Sequence, residues 1–472
     1  VELLAAVRAA GWSAFEADKL QAYLDFFSGR SQQAYERILR GRLAETDADL
    51  LLTACVYCYQ HDRFQEGYAL VRQFRPDTSE ASARTEYLAF AGYLAMAAGA
   101  AITEATAYFD RALDAGLVSP LLAVNAYPIY FEAGRHDRVA QVRRLIHERY
   151  ADDPDAGFAL ASVELCRGYY PEGFRLAETR YRMPEAMRAI NATLPAHLRW
   201  QGEPLAGKRL LVHGEQGFGD TIMMARYLPQ LQQSAGAVIL DTRDALVPLL
   251  APNLPGCQVI ASGFQQPIEA DFDVWAGAMS LPHLLKTTKD TVPARQGYLG
   301  VPDEQAAYWR QRIGRRGAGG PRIGLAWSGN PSHRADRRRS LAFDLLVPCL
   351  RRYPNVRFFS LQTQVPGNPP ANLVDLSDEL ATLADTAALI DLMDLVITVD
   401  TSVVHLAGAL GRATWLLLPY RYEWRWGLEG EGNAWYDSVS VLRQNPDGGW
   451  VELLAQVFQQ RLPAWLAQHG NS

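Results

Sequence analysis

Cysteine is scarce in this chain: five residues in 472, Cys55, Cys58, Cys166, Cys257 and Cys349. The odd number and the scattered spacing exclude a disulfide framework and suit a reducing compartment. Only Cys55 and Cys58 are close. Their CxxC lies in LLTACVYCYQH, a helical pattern with no second pair and no strand before it, so buried packing is expected over metal or redox use. Long apolar runs are missing as well. No stretch reaches the roughly 18 residues needed to cross a bilayer and no signal peptide is visible, so no membrane span is expected and the cytoplasm is the default. Nor is there an excess of basic charge. A formal net charge of −6 argues against a sequence-independent nucleic-acid binder, although a local basic cluster can still hold a phosphate. With 49% hydrophobic and 21% charged residues the composition is that of a globular protein, and the length calls for two or three domains.

Two halves differ in grammar. Over 1–195 the chain is rich in Ala, Leu, Arg and Tyr at helical spacing, with glycines between the helical stretches. Gly99, Gly134 and Gly168 stand 35 and 34 residues apart, and Ala105, Val139 and Gly173 follow them at one helical position. Asp62 and Gly67 fit the same frame. A helix–turn–helix period of about 34 residues is that of tetratricopeptide repeats, although the full Trp-Leu-Gly-Tyr signature is missing. Stacked helical hairpins expose a curved surface that commonly holds another protein, so a partner is expected there; the plainer reading is a helical domain that only supports its neighbour.

Beyond HLRWQGEPLAGKR apolar strand-like runs alternate with helical patterns: LLVHG, AVILD, CQVIAS, FDVWAG, RIGLAWSG, VRFFSLQ, LVDLS, LVITVD and ATWLLLP. That alternation predicts parallel sheets built from βαβ units, with ligands at the carboxyl ends of the strands. The basic, glycine-rich stretch at 311–321 reads as a linker. Two Rossmann-like domains facing across a cleft are expected, at 205–310 and 321–445, with a last helix over 450–468.

Three strand ends carry candidate chemistry. In VHGEQGFGDTIMMARYLPQL, Gly214, Gly217 and Gly219 follow G-x-x-G-x-G, which fails the order of the nicotinamide fingerprint, although Asp241 ends the next strand where a ribose-binding acid would stand. The loop offers a ligand close backbone approach. Asp220 at its end either caps the following helix or faces the cleft as a general base. In LVITVDTSVVHLAGALG a buried strand ends at Asp400, Thr401 and Ser402, and His405 lies in the first turn of a helix. Free N–H groups and the helix dipole there form an anion site suited to a phosphate or pyrophosphate. In GLAWSGNPSHRADRRRS, Ser328 and Asn330 precede Arg334, Arg337, Arg338 and Arg339, of which Arg339 is the chief candidate to neutralise a leaving diphosphate.

GEQGFGDT, AWSGNPSHRADRRRS, LADTAALIDLMDLVITVDTSVVHLAGALG and WLLLPYRYEWRW together resemble the bacterial tetratricopeptide-repeat glycosyltransferases, whose catalytic half is similar to the heptosyltransferases of lipopolysaccharide synthesis. The resemblance spans 205–445 and, more loosely, the helical half. It implies a GT-B fold and an inverting, metal-independent transfer from a nucleotide sugar, which is a co-substrate, so that no cofactor is expected. By it, Asp220 matches the acid proposed as general base. Asp400, Thr401 and His405 match the D-T-x-x-x-H that holds donor phosphates, and Arg339 stands where heptosyltransferases carry a lysine. The helical half would then present a protein acceptor, such as a flagellin or another surface protein. The rival class is a binding scaffold that has lost catalysis, and a third reading is a nicotinamide-dependent oxidoreductase.

Lesser signals have plainer readings. Asp271-Phe272-Asp273 is formally a metal-binding DxD but continues into a strand. Trp424, Arg425 and Trp426 offer stacking faces for a base or sugar, or packing between domains. Gln362, at a strand end, is placed to hydrogen-bond the donor together with Gly217 and Gly219. Asp385 reads as a helix N-cap.

Overall fold

The computed structural model describes residues 13–45, 47–73, 81–183, 194–262, 268, 270–314, 320–330, 336–420, 423–445 and 449–469. The chain forms two compact units, Val1–Val163 and Glu164–Ser472.

The first unit is helical. Its helices pair as Ala14–Phe27 with Ser31–Arg40, Ala48–Gln60 with Phe64–Gln73, Ala81–Ala97 with Ile102–Asp114, and Pro120–Glu132 with His136–Arg149. One turn recurs. Gly29, Asp62, Gly99 and Gly134 all take a left-handed conformation, with φ of 76°, 55°, 82° and 67°. The N–H that follows each returns to a carbonyl five residues back, as Ala100 does to Ala95 and Arg135 to Tyr130. This satisfies the last carbonyls of the first helix and reverses the chain. The small residues of the frame lie where helices cross: a Cβ at Gly67 would stand 2.9 Å from Cβ of Cys58, and Ala105 is fully buried. Cys55 and Cys58 are thus packing residues, free and buried, and burial pushes the Cys55 thiol up.

The helical frame runs on into the second unit. Gly168, with φ of 84°, repeats the turn, and a Cβ at Gly173 would meet Cγ of Leu165 at 2.6 Å. The helix Tyr170–Ala177 nevertheless packs with the sheets, Tyr170 stacking on Trp435 at 5.8 Å and Phe174 edge-on to Trp424. The helical stretch expected over 1–195 is therefore divided between the two units.

Two parallel sheets follow. The first holds β1 (Arg209–His213), β2 (Ala237–Thr242), β3 (Cys257–Ala261) and β4 (Val274–Gly277) in the order β3-β2-β1-β4. The second holds β5 (Arg322–Ala326), β6 (Arg357–Ser360), β7 (Leu373–Val374), β8 (Leu395–Val399), β9 (Thr414–Leu418) and β10 (Val439–Arg443) in the order β10-β9-β8-β5-β6-β7. Every residue of β5, β8 and β9 is buried, as strands covered on both faces must be, and continuous apolar sequence meets that need. The two-sheet arrangement fits a GT-B-like fold. Of the stretch read as a linker, 311–313 ends the helix Asp303–Ile313, and 315–319 lie outside the described residues. The helices Trp450–Ala455 and Leu462–His469, joined by a wider π turn, lay Leu453, Val457 and Leu462 against Leu395 and Trp415 of the second sheet.

Arg226 ties the sheets together. It is 3% exposed, and its guanidinium donates to the Met223 carbonyl on its own helix and to the Trp435 carbonyl of the second half at 2.7 Å. Tyr298 and Tyr436 lie under its charge. A buried cation with this many partners fixes the relation of the two halves, because removing any partner leaves charge unsolvated.

Candidate active site

The carboxyl ends of β1 and β8 face one another. After β1 the chain passes close under Asp241, where a Cβ at Gly214 would meet Thr221 Oγ1 at 2.9 Å. It then enters the helix Phe218–Ala225 with Gly217 as N-cap. Asp220 is the third helical residue. Its Oδ2 accepts from the Gly217 N–H at 3.0 Å, and its Oδ1 accepts from Arg425 Nη2. One oxygen of this acid thus caps the helix and the other faces the second half.

After β8 the chain reaches Asp400 and then Thr401, whose hydroxyl accepts from the Val403 N–H at 3.3 Å and starts the helix Ser402–Ala409. His405 is 5% exposed. Its ring stacks on Trp426, with centroids 5.3 Å apart, and its Nδ1 lies 3.1 Å from the Tyr436 hydroxyl. The opposite edge of the ring meets the glycine loop, since a Cβ at Gly219 would stand 2.5 Å from His405 Cδ2.

The loop after β5 closes a third side. Gln362, beyond β6, accepts from the N–H groups of Trp327 and Ser328 at 3.0 and 3.2 Å and donates to Ser328 Oγ at 3.0 Å. Its amide thus positions Ser328, and its oxygen accepts twice from the loop. Ser340 Oγ takes the Gly329 N–H at 3.0 Å and donates to Asp336, which also accepts from Arg339 Nε at 3.3 Å. A Cβ at Gly329 would stand 2.8 Å from Arg339 Nη2, so that the guanidinium lies along the loop. Asn330 sits at its exposed tip. Arg334 and the side chains of Arg337 and Arg338 lie outside the described residues.

Sequence reasoning missed the hub. Arg425 was read only among stacking residues, yet its guanidinium bridges Asp220 of the first half and Glu423 of the second. The backbone N–H of Arg425 also donates to Glu423 Oε2 at 2.9 Å. Trp424 packs against Phe174 and Trp435, and Trp426 against His405 and Tyr436. Both tryptophans are packing residues, and the available signal was the arginine between them with an acid two residues earlier.

Burial and Arg425 set the protonation states. Burial pushes the Asp220 carboxyl up, but Arg425 and the Gly217 N–H outweigh it and hold the acid below the usual carboxylate range. Asp400 goes the other way, since burial raises it despite Arg425 and Arg339. Burial also takes Glu423 to about 7, with Asp400 adding to the effect and Arg425 opposing it. His405 falls to about 3, mainly through burial and then through the charge of Arg425. The cluster thus combines an ionised carboxylate, a neutral imidazole and two guanidiniums beside a helix N-terminus. Such a set can accept a proton and hold an anion.

Other candidates have structural partners. Asp241 is 2% exposed and its carboxylate is taken by His213 at 2.6 Å and by the N–H and hydroxyl of Ser262, which leaves nothing for a ribose. Asp271 and Asp273 pair with Arg209 at the amino ends of β1 and β4, away from the cluster. Asp385 completes a capping box with Thr382 and accepts from Trp309 Nε1.

No protein-family model matches the chain. Protein FlbA of Caulobacter vibrioides is 29% identical over 328 residues, 64% of this chain and 54% of that protein. The chain thus spans about half the length of this curated relative. Among solved structures, the chain is similar to ADP-heptose lipopolysaccharide heptosyltransferase II of E. coli, with 14% identity, a TM-score of 0.38, and coverage of 55% of this chain and 99% of that one. A family 9 glycosyl transferase of Veillonella parvula matches with 13% identity and a TM-score of 0.34 over 51% of this chain and 87% of its own. An O-GlcNAc transferase variant of Thermobaculum terrenum matches over 89% of this chain and 92% of its own, with 14% identity and a TM-score of 0.33.

Proposed function

We propose that the chain is a nucleotide-sugar-dependent glycosyltransferase of the GT-B type that transfers a sugar to an acceptor hydroxyl by single displacement, with inversion and without a resident metal. One observation supports this reading above the others. Asp220, from the end of one parallel sheet, meets the Asp400–Thr401–His405 helix start at the end of the other, with Arg425 between them.

The chemistry follows from the site. Asp220 takes the proton of the acceptor hydroxyl as its oxygen bonds to the anomeric carbon. The bond from that carbon to the donor phosphate breaks, and its electron pair leaves on the nucleoside diphosphate. Charge gathering there is met by Arg339, by the N–H groups at the start of Ser402–Ala409 and by the helix dipole, which supply the stabilisation that a metal gives elsewhere. His405, neutral and wedged between Trp426 and Gly219, holds the two helix starts together and presents a polar edge to the phosphates. The helical unit, with its repeated hairpins, is the part suited to carrying a protein acceptor.

The test is a thermal-shift screen of the full chain against UDP-, GDP-, ADP-, dTDP- and CMP-linked sugars, with and without EDTA, repeated on His405→Ala. A chelator-insensitive stabilisation by one donor class that is lost in the variant is expected. Absence of both a shift and donor consumption across the panel would remove the reading.

A further inference from the structure

We infer that Arg425 is a catalytic residue that changes partner during the reaction: it first holds Asp220 and then passes to the diphosphate of the donor, which frees the base only once the leaving group is in place. This rests on the function proposed above and adds to it a residue and an order of events, donor before acceptor.

The argument begins with a conflict. A general base needs a free lone pair directed at the proton it takes. Asp220 keeps lone pairs on both oxygens, but Oδ2 accepts from the Gly217 N–H and Oδ1 from Arg425, and the guanidinium on Oδ1 draws down the proton affinity that a base needs. The Gly217 bond belongs to the helix cap and stays. The Arg425 bond joins two side chains 205 positions apart in sequence, on different halves of the unit, and it alone can be exchanged without unwinding a helix.

Charge gives the exchange its direction. Arg425 faces three acidic side chains, Asp220, Glu423 and Asp400, of which Asp220 is the one held ionised. A diphosphate at the N-terminus of Ser402–Ala409 would bring two further negative charges beside Asp400, and a planar guanidinium matches phosphate oxygens in a bidentate fork. The Glu423 carboxylate, gripped by both the backbone and the side chain of Arg425, acts as a pivot on one terminal nitrogen while the other moves from Asp220 to phosphate. The guanidinium also lies 4.4 Å over the Trp424 ring, a surface across which it slides without losing its cation–π contact. Trp426, fully buried and stacked on the His405 ring, turns its indole N–H toward Asp400, the acid that an incoming diphosphate would approach.

The experiment is a binding cycle on the full chain, by calorimetric titration with ADP, GDP, UDP, CDP and dTDP, followed with whichever binds. If Asp220 competes with the diphosphate for Arg425, Asp220→Asn binds the nucleotide about tenfold more tightly than wild type. Arg425→Met binds about tenfold or more weakly, and in Arg425→Met the Asp220→Asn change alters affinity by less than about twofold. A general field effect of the lost charge would instead tighten binding equally in both backgrounds. Should Arg425→Met fail to fold by circular dichroism, Arg425→Lys, which keeps the charge and loses the fork, takes its place in the cycle. Equal tightening in both backgrounds, or no tightening in Asp220→Asn, overturns the inference and leaves the transferase reading standing. No binding of any nucleoside diphosphate by wild type removes that reading, and the inference with it.

Discussion

A Cβ on Gly219 would stand 2.5 Å from Cδ2 of His405. Two helix starts, one from each sheet, therefore meet at a point where only hydrogen fits. Gly219→Ala must push the His405 ring off Trp426 or part the two helices, an overpacking cost of about 1–3 kcal/mol. Gly432→Ala is the control, since a Cβ there meets nothing within 4 Å. Melting temperature should fall for the first and hold for the second, and donor affinity should follow. Equal melting temperatures would mean that the halves do not press together at this point.

The site should leave two opposite marks on stability against pH. Glu423 rises from an ordinary 4.5 to about 7 through burial, so the folded chain binds its proton more tightly. The associated stability is full below about pH 4.5 and is lost as pH rises through about 7. Glu423→Gln should match wild type at pH 5 and exceed it at pH 8. His405 falls from 6.5 to about 3, again through burial first; its contribution is full above about pH 6.5 and is lost as pH falls toward 3. His405→Asn should lose less stability than wild type between pH 7 and pH 4. Melting curves of both variants that run parallel to wild type across this range would refute the assigned protonation states.

The sequence disclosed those parts of the molecule that are local. LVITV and TWLLL read as strands because a strand buried on both faces is apolar without interruption, whereas β10, VSVLR, alternates and follows a polar loop, so it went unread. Asp220 and the D-T-x-x-x-H were legible since a glycine loop and an N-cap are written within a few residues. Arg425 was not, because its role depends on an acid 205 positions away and its tryptophan neighbours suggested stacking. Gln362 stood out by position alone, and only coordinates show that its amide also holds Trp327 and Ser328 in place. The division at Val163 was equally hidden, because the turn at Gly168 repeats the grammar of Gly99 and Gly134 while the helix behind it packs on Trp424 and Trp435, between β9 and β10.

The glycine loop before Asp220 is anchored by a buried ion network, and breaking it should cost more than removing it. Arg180, with a side chain 7% exposed, pairs at 2.7 Å with Glu215, 5% exposed, and at 2.7 Å with Glu178. Tyr181 and the Met279 N–H complete the shell of Glu215. Arg180→Met strands a buried carboxylate five residues before Asp220, a loss of about 3–5 kcal/mol. Adding Glu215→Gln should return roughly half or more of it, because a buried pair replaced on both sides is often close to neutral. Urea titration of the single and double variants measures this, and a double variant no more stable than Arg180→Met would show that the loop is held by something else.

Asp220→Ala separates a base from a binding group. As the proton acceptor, Asp220 contributes in the transition state and its loss should lower kcat by about 10²–10⁴-fold. Its removal also frees the Arg425 nitrogen that Asp220 holds, with Glu423 still in place on the other, so the donor KM should hold or fall. A group that merely bound the donor would show the reverse, a raised KM with kcat kept. Steady-state release of nucleoside diphosphate, followed with the acceptor saturating, gives both constants. Unchanged kcat with a raised donor KM would move Asp220 from the chemistry to the donor pocket, and the proton would then have to leave through another group of the cluster.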